Sequence, residues 1–404
     1  MLVSVVNRRD RLQRLFDMAP SFDAGNTFPV RGARMKIGRM RTIDRIGHPS
    51  NSRHSTREQH PVATSTKLAG VKGTVSIELV HEALHAALLR NMDISRVLET
   101  ANLDSGLLQS GRARIPAAAY SRMWVALADL MDDEFFGLDH HGLRRGSYAL
   151  MTRAAVSAHN LEHALRRILR FLRITLDDFR GELIRTDGEA RIVLHDGGVM
   201  RRLFGYGTWF ILVHGLACWL VHRRIPLREM QFRCPAPVDD SHYRTRFCQN
   251  VVFAGASTHI AFDSAFLDLE IVETADTVDG FLREAPGNLL VQYRNESSTH
   301  AIVRRRLRNQ LPDQWPDLHR LAQDLHMSGT TLQRRLQQEG LNYQRLKDDL
   351  RRDIAIDLLS TAPMTVAEVA ARTGFQEASA FHRAFKKWTG VSPGAYRMAG
   401  PAKS

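Results

Sequence analysis

A chain of 404 residues with 44% hydrophobic content is long enough for two or three domains with real cores. Its formal charge of +13 favours a polyanionic partner and is concentrated at the ends: 14 Lys/Arg face 5 Asp/Glu over residues 1–75 and 17 face 10 over 301–404, against 25 and 28 between them. Only three cysteines are present, Cys218, Cys234 and Cys248, odd in number and without a CxxC pair. They indicate neither a disulfide framework nor a cysteine zinc site, and they suit a reducing cytoplasm.

Residues 1–75 are rich in Arg, Ser, Gly and Thr, with little apolar periodicity after about Phe28. Such a basic extension is expected to stay disordered. A start codon assigned too early would give the same pattern, and the Arg-rich, acid-poor start also resembles an organelle presequence in composition, although its apolar face stops at Leu12, Leu15 and Phe16.

From Ser76 to about Ile174 the apolar spacing is helical, as in "VHEALHAALLRNM" and "LEHALRRILRFLRI". After Asp178 it changes to short strand-like runs, "GEARIVLHDG", "MQFRCPAP" and "VVFAGASTHIAFD", bounded by Gly, Pro and Asp. Between them, Thr208 to Val221 is apolar for about 14 residues, short of the roughly 20 that span a bilayer. It is expected as a buried core helix, with no membrane partner. Residues 76–271 thus read as an α+β domain large enough to enclose a pocket, with 272–300 as linker. Asp139-His140-His141 has metal-ligating residue types, but adjacent histidines on a loop rarely converge on one ion, so no metal and no cofactor is expected.

The C-terminal stretch "MTVAEVAARTGFQEASAFHRAFKKWTGVSPGAYR" carries the clearest local signals. Thr365 followed by Glu368 is a capping box that starts a helix running to about Arg372. Gly374 permits a left-handed turn. A second helix follows from about Ala378, with Phe381, Phe385 and Trp388 inside and His382, Arg383, Lys386 and Lys387 outside. Gly390 and Pro393 stop it. This is a helix-turn-helix pattern.

About 50 residues upstream the pattern recurs in "LHRLAQDLHMSGTTLQRRLQQEG". Leu321-Ala322 matches Val369-Ala370, and "LQRRL" matches "FHRAF", so Arg334 and Arg383 fall at equivalent places. Ser328 is a good N-cap. Leu346, Leu350, Ile354 and Leu358 mark a connecting helix of roughly 17 residues, about 26 Å long. That is near the ~34 Å between successive major-groove faces on one side of a duplex. The expected architecture is multidomain: an α+β N-terminal regulatory domain, then an all-α domain over 301–398 with two helix-turn-helix units joined by a connecting helix.

The stretches "LAQDLHMSGTTLQRRLQQEG", "YQRLKDDLRRDIAIDLL" and "VAEVAARTGFQEASAFHRAFKKWTGVSPGAYR" resemble the DNA-binding domain of AraC/XylS-type transcription regulators. More weakly, "ARIPAAAYSRMWVALADLMDDEFFGL", "SAHNLEHALRRILRFLRI" and "VVFAGASTHIAFDSAFLDLEI" resemble the arabinose-binding-type regulatory domain that precedes it in one subgroup. The resemblance implies a sequence-specific transcription regulator of double-stranded DNA, dimeric through its N-terminal domain and controlled by a small-molecule effector. An activator would also meet RNA polymerase. Carried over motif by motif, the base-reading residues are Thr330, Gln333 and Arg334 in the first unit and Ala378, Ser379, His382 and Arg383 in the second. Arg can grip guanine and Gln adenine in bidentate fashion, whereas Ala378 offers only a methyl group. Ser328, Arg335, Lys386 and Lys387 are expected at phosphates. The cluster Arg304, Arg305, Arg306 and Arg308 either approaches the DNA backbone or serves as a solvated helix end. Arg153, Tyr206, Trp209 and His214 are candidate effector liners.

Alternatives are a DNA-binding module fused to an enzyme, as in DNA-repair alkyl-acceptor proteins, or a purely architectural binder. The first needs an activated cysteine. The second is disfavoured by two Arg- and Gln-bearing reading helices. If residues 1–70 lie outside any core, a fragment beginning at Val71 will keep its cooperative melting transition, as followed by circular dichroism. Loss of cooperativity on truncation would instead make the extension part of a core.

Overall fold

The computed structural model of the protein describes residues 73–291, 298–339 and 341–398. Apart from its last three residues, the basic extension expected over 1–75 lies outside the described residues. The first elements are β1 (Thr74–Ser76), α1 (Ile77–Leu89), α2 (Ser95–Ala101), β2 (Arg114–Pro116), α3 (Ala117–Met131), α4 (Ser147–Val156) and α5 (Leu161–Thr175). The region expected to be helical therefore contains a β-pair as well: β1 and β2 run antiparallel, with Val75 opposite Ile115. Three residues are too few to show the alternation by which a strand is recognised in sequence. In α5 the local logic is plain. Asn160 caps it by accepting from the His163 amide at 3.0 Å. Leu161, Leu165, Ile168 and Leu172 are buried at helical spacing, while Arg166, Arg167 and Arg170 face outward.

A five-stranded sheet follows, built from β3 (Arg180–Thr186), β4 (Glu189–His195), β5 (Leu227–Gln231), β6 (Val251–Val252) and β7 (Thr258–Phe262) in the order β3-β4-β7-β5-β6. All neighbours are antiparallel except β5 and β6. On β4, Ala190, Ile192 and Leu194 are buried with period two, and central β7 is buried along its whole length. Helix α6 (Leu203–Leu220) is buried on nearly every side, which removes the need for a polar face. It is long and apolar enough to cross a membrane, and 89% of it is enclosed by the fold. Gly181 on β3 lets it close on the sheet. A Cβ there would lie 2.6 Å from both the Trp209 ring and Leu169.

The 272–300 stretch is more than a linker. It forms α8 (Ala275–Glu284) and α9 (Gly287–Val291), and Val278, Phe281 and Leu289 enter the regulatory core. Phe281 stacks on Trp219 with ring centroids 4.2 Å apart. The Pro286–Gly287 break hides this packing in the sequence.

The C-terminal part comprises α10 (Thr299–Arg308), α11 (Leu318–Asp324), α12 (Gly329–Gln338), α13 (Tyr343–Thr361), α14 (Val366–Arg372), α15 (Ala378–Thr389) and α16 (Pro393–Met398). Both helix-turn-helix units form: α11–α12 and α14–α15. Ser328 caps α12, Thr365 and Glu368 form the capping box of α14, and Gly374 and Gly390 take φ of +80° and +78°. The connecting helix α13 is 19 residues long, about 28 Å. Leu321, Leu332, Leu336, Leu346, Leu350 and Ile354 fill one core. In the second unit Phe385 meets Phe381 and Tyr396 at 5.6 Å each.

The regulatory β1–β2 pair rests on α13. Thr74 donates its hydroxyl to Asp353, and Arg114 donates to the Thr74 hydroxyl at 2.8 Å. The Arg114 carbonyl accepts from the Tyr396 hydroxyl at 2.8 Å, and Ser110 donates to the Thr389 carbonyl at 2.9 Å. Asp353 is buried and also accepts from Arg304. Burial alone would push its carboxyl up. The guanidiniums of Arg304, Arg352 and Arg114 outweigh that and hold it well below the usual carboxylate range.

Removing this carboxylate leaves three guanidiniums facing one another, so Asp353→Ala should cost about 3–5 kcal/mol in denaturant unfolding of the whole chain. The pH sense follows from the depressed native value. The ionic contribution is complete above the carboxyl's ordinary value of 3.8 and fades as pH falls through the native one. The stability gap between wild type and Asp353→Asn should therefore be full at about pH 6 and narrow below about pH 4. A pH-independent gap would show that shape, rather than charge, makes this contact.

Candidate nucleic-acid interface and effector cavity

Helices α12 and α15 each bury one stripe and expose the opposite one. On α12, Leu332 and Leu336 point inward, while Thr330, Gln333, Arg334 and Arg335 are exposed. On α15, Phe381 and Phe385 are inward, while Ala378, Ser379, His382, Arg383, Lys386 and Lys387 are exposed. Trp388 is half-buried, 6.0 Å from Phe375. Every base-reading and phosphate candidate therefore lies on the outer face of its helix. Ser328 is already used locally: its oxygen accepts from the Thr331 amide at 3.1 Å. Ser379 donates to the Glu377 carboxylate at 3.1 Å. No ion pair among the described residues engages Arg334 or Arg383, so both guanidiniums are available to an outside partner.

The arginine cluster on α10 divides: Arg305 and Arg306 are exposed, whereas Arg304 and Arg308 are partly buried. Arg304 turns inward to Asp353, and Arg306 pairs with Asp324 at 3.1 Å. Arg305 and Arg308 line a cavity that is open to solvent on one side. Of the four, Arg304 makes the buried contact, because α10 lies against α13 and α12.

That cavity has a volume of about 780 Å³ and is bounded by both halves of the described chain. The regulatory part contributes an aromatic and aliphatic wall: Tyr120 and Trp124 from α3, Phe204 and Ile211 from α6, and Tyr243 and Phe247 in and beside α7 (Ser241–Arg246). The DNA-binding part contributes Arg304, Arg305 and Arg308 from α10 and Arg345 and Arg352 from α13. Buried Arg246 adds a guanidinium 5.9 Å over the Phe247 ring. With Arg114, the lining holds seven arginines against Asp239, Asp349 and Asp353. His300, also in the lining, is pushed down to about 4 by burial and by Arg304, so it adds no charge at neutral pH. Thr208, also in the wall, has a buried hydroxyl with no hydrogen-bond partner among the described residues.

None of the four proposed effector liners borders this cavity. Tyr206 is fully buried and donates to Asp196 at 2.5 Å. Trp209 packs on Gly181. His214 donates to the Ile225 carbonyl at 2.9 Å, and burial pushes its imidazole down to about 3. Arg153 is at the surface, 2.6 Å from Asp279. Helix α6 does wall the cavity, but through Phe204, Gly207, Thr208 and Ile211, while Tyr206, Trp209 and His214 on the same helix point into the regulatory core. The residues that do line the cavity are spread from Thr74 to Asp353 and carry no shared motif.

Two other sequence candidates find structural work. Asp139 accepts from the Asp177, Asp178 and His141 amides, while His140 pairs with Asp178. Among the described residues, no group of three or more His, Cys, Asp or Glu converges as a metal site. Cys218, Cys234 and Cys248 are buried free thiols, and burial pushes each up to about 11, the opposite of an activated nucleophile.

Comparison with known proteins agrees with this architecture. Residues 92–271 match the model of the arabinose-binding domain of AraC transcription regulators, and 321–399 match a helix-turn-helix domain model. The ornithine utilization regulator of Pseudomonas aeruginosa is 26% identical over 330 residues, 80% of this chain and 97% of its own length. VqsM of the same organism is 37% identical over 87 residues, 22% of this chain and 27% of its own. Among solved structures, the transcriptional regulator CdpR from Pseudomonas aeruginosa aligns over 80% of this chain and 98% of its own at 21% identity, with a TM-score of 0.24. With a regulatory domain and a helix-turn-helix domain matched in the expected order, the chain belongs to the AraC family of effector-controlled, DNA-binding transcription regulators.

Proposed function

We propose that this regulator reads its operator through two unequal helices, with α12 dominant, and takes its effector in the cavity between the regulatory and DNA-binding parts. The observation that carries the reading is the pair of equivalent, exposed guanidiniums, Arg334 and Arg383, one turn into helices at the two ends of a connecting helix of about 28 Å. In α12, Gln333 stands beside Arg334, so two bidentate readers are adjacent. In α15, Ala378 and Ser379 supply little, which leaves His382 and Arg383. Lys386 and Lys387 sit nearly one turn further on, where a point charge suits phosphate. In this reading the protein acts in the cytoplasm as a homodimer joined through residues 76–271, and as an activator it would contact RNA polymerase.

Arg334→Ala and Arg383→Ala should each cost about 1–3 kcal/mol and relax preference at one base position, Arg334 the more. Lys386→Ala should weaken all sequences alike and lower the salt slope by about one unit. The measurement is affinity for a bound genomic site and for a scrambled one at several salt concentrations. Equal losses on both sites for Arg334→Ala would make it a phosphate contact and remove α12 as the reader. Sedimentation of the 76–271 fragment tests the assembly: a dimer is expected, and a monomer at micromolar concentration would discard it.

A further inference from the structure

The two helix-turn-helix units touch each other beside the helix that joins them. Arg351 stands near the middle of α13. Its guanidinium carbon lies 5.4 Å from the Trp315 ring and 5.7 Å from the Phe375 ring, within cation–π reach of both. Trp315 is anchored in the first unit: it packs into the core of Leu321, Leu332 and Leu336, and its indole nitrogen donates to the Leu307 carbonyl at 2.8 Å. Phe375 is anchored in the second: it follows the turn at Gly374 and meets Phe381 at 5.6 Å and Trp388 at 6.0 Å. A second contact lies alongside. A Cβ on Gly374 would come within 3.2 Å of Pro312, so the turn of the second unit packs on the segment that leads into the first.

We propose that Arg351 is a positioning residue that locks the two units into one body and so makes the regulator selective for a single spacing of the two base segments it reads. This inference rests on the reading of α12 and α15 as base readers and adds what holds them in step. Three observations favour it over a solvated charge. Only 19% of the Arg351 side chain is exposed, so its ring contacts are made largely out of water, where they are strongest. No acid accounts for its placement: Asp348 is 3.7 Å away, and the Arg351 Nε has no hydrogen-bond partner among the described residues. Its two rings are rooted in different units, whereas every other route from Trp315 to Phe375 along the chain passes through the full set of joints around α13.

The consequence for operator choice follows from the helical geometry of the duplex. Joined only end to end through a helix of about 28 Å, the units could swing about its two ends. A tie at its middle removes that freedom. One extra base pair between the two segments shifts the second by about 3.4 Å and turns it by about 35°. Units locked together cannot follow that change, and one reading helix loses its base contacts. Units free to swing can follow it.

The test uses the full chain and a bound genomic site, in which the two segments are first located by the base positions that Arg334→Ala and Arg383→Ala relax. One base pair is then inserted or removed between them. Wild type should lose about tenfold or more in affinity on either altered site, the order of a mismatched base pair. Arg351→Ala should bind the natural site more weakly, because its units must be ordered on binding, yet lose no more than about threefold on the altered sites. Arg351→Lys should relax the spacing as well, since a compact, strongly hydrated ammonium does not replace a flat guanidinium against two rings. Phe375→Leu keeps the apolar bulk and every charge and should act in the same direction, so the proposal does not hang on one variant folding. Without DNA, spin labels carried by Gln337→Cys and Lys387→Cys, both exposed positions, should report a narrow distance distribution that broadens in Arg351→Ala. Equal spacing penalties in wild type and all three variants would overturn the proposal, as would a wild type that binds every spacing alike. So would an Arg351→Lys variant indistinguishable from wild type beside an Arg351→Ala variant with a reduced salt slope, the mark of a phosphate contact. If Arg383→Ala relaxes no base position, it is the two-helix reading that fails.

Discussion

One buried carboxylate is shared between the regulatory and DNA-binding parts. Asp353 lies on the connecting helix, and cations reach it from three places: Arg304 on α10, Arg352 on α13 itself and Arg114 on the regulatory β-pair. An ionised carboxylate at that depth is tolerated only while those partners are in place, because the desolvation penalty of an unpaired buried charge is several kcal/mol. The electrostatics therefore make three elements mutually dependent. The dependence reaches the helix-turn-helix units, since α13 joins one to the other.

The contacts around this centre are unevenly shared between the two helix-turn-helix units. The regulatory part touches the second unit directly, through Ser110 on the Thr389 carbonyl at the end of α15 and through Tyr396 on the Arg114 carbonyl. The first unit is tied instead to α10, where Glu339 accepts from the Thr299 and His300 amides at 2.7 and 2.9 Å. A displacement of β1–β2 would therefore act first on α13 and the support of α15. The unit whose second helix begins with Ala378 and Ser379 is the one in direct hydrogen-bond contact with the regulatory part.

The sequence was legible wherever the signal was local. The Thr365–Glu368 capping box, Gly374, Gly390 and the Phe381–Phe385 stripe specify their own structure within a few residues of themselves, and all appear as expected. What stayed hidden depends on distant partners. β1 and β2 are three-residue strands separated by nearly 40 residues, and neither reads as a strand alone. Arg304 reads as a surface cation because its partner lies 49 positions away. The cavity is hidden for the same reason: tertiary packing assembles its walls from segments spread between Thr74 and Asp353, so its lining follows no periodicity.

The choice of arginine in this network has a physical consequence that lysine would lack. Arg352 is 2.7 Å from Asp349 and 3.7 Å from Asp353, and its planar fork can serve two acceptors at once. Arg114, buried and beside Arg352, has its proton affinity pushed down to about 10 by burial and by that neighbour, yet it remains charged at neutral pH. A buried lysine in the same surroundings starts from a lower value and could lose its charge outright. The cationic side of the cavity thus keeps its charge through any change in its partners. Asp353 and any anion admitted to the cavity share those arginines. By linkage, whatever strengthens or weakens one of these contacts alters the other by the same free energy. Packing the interdomain contact and the cavity wall from one set of guanidiniums couples them without a separate relay.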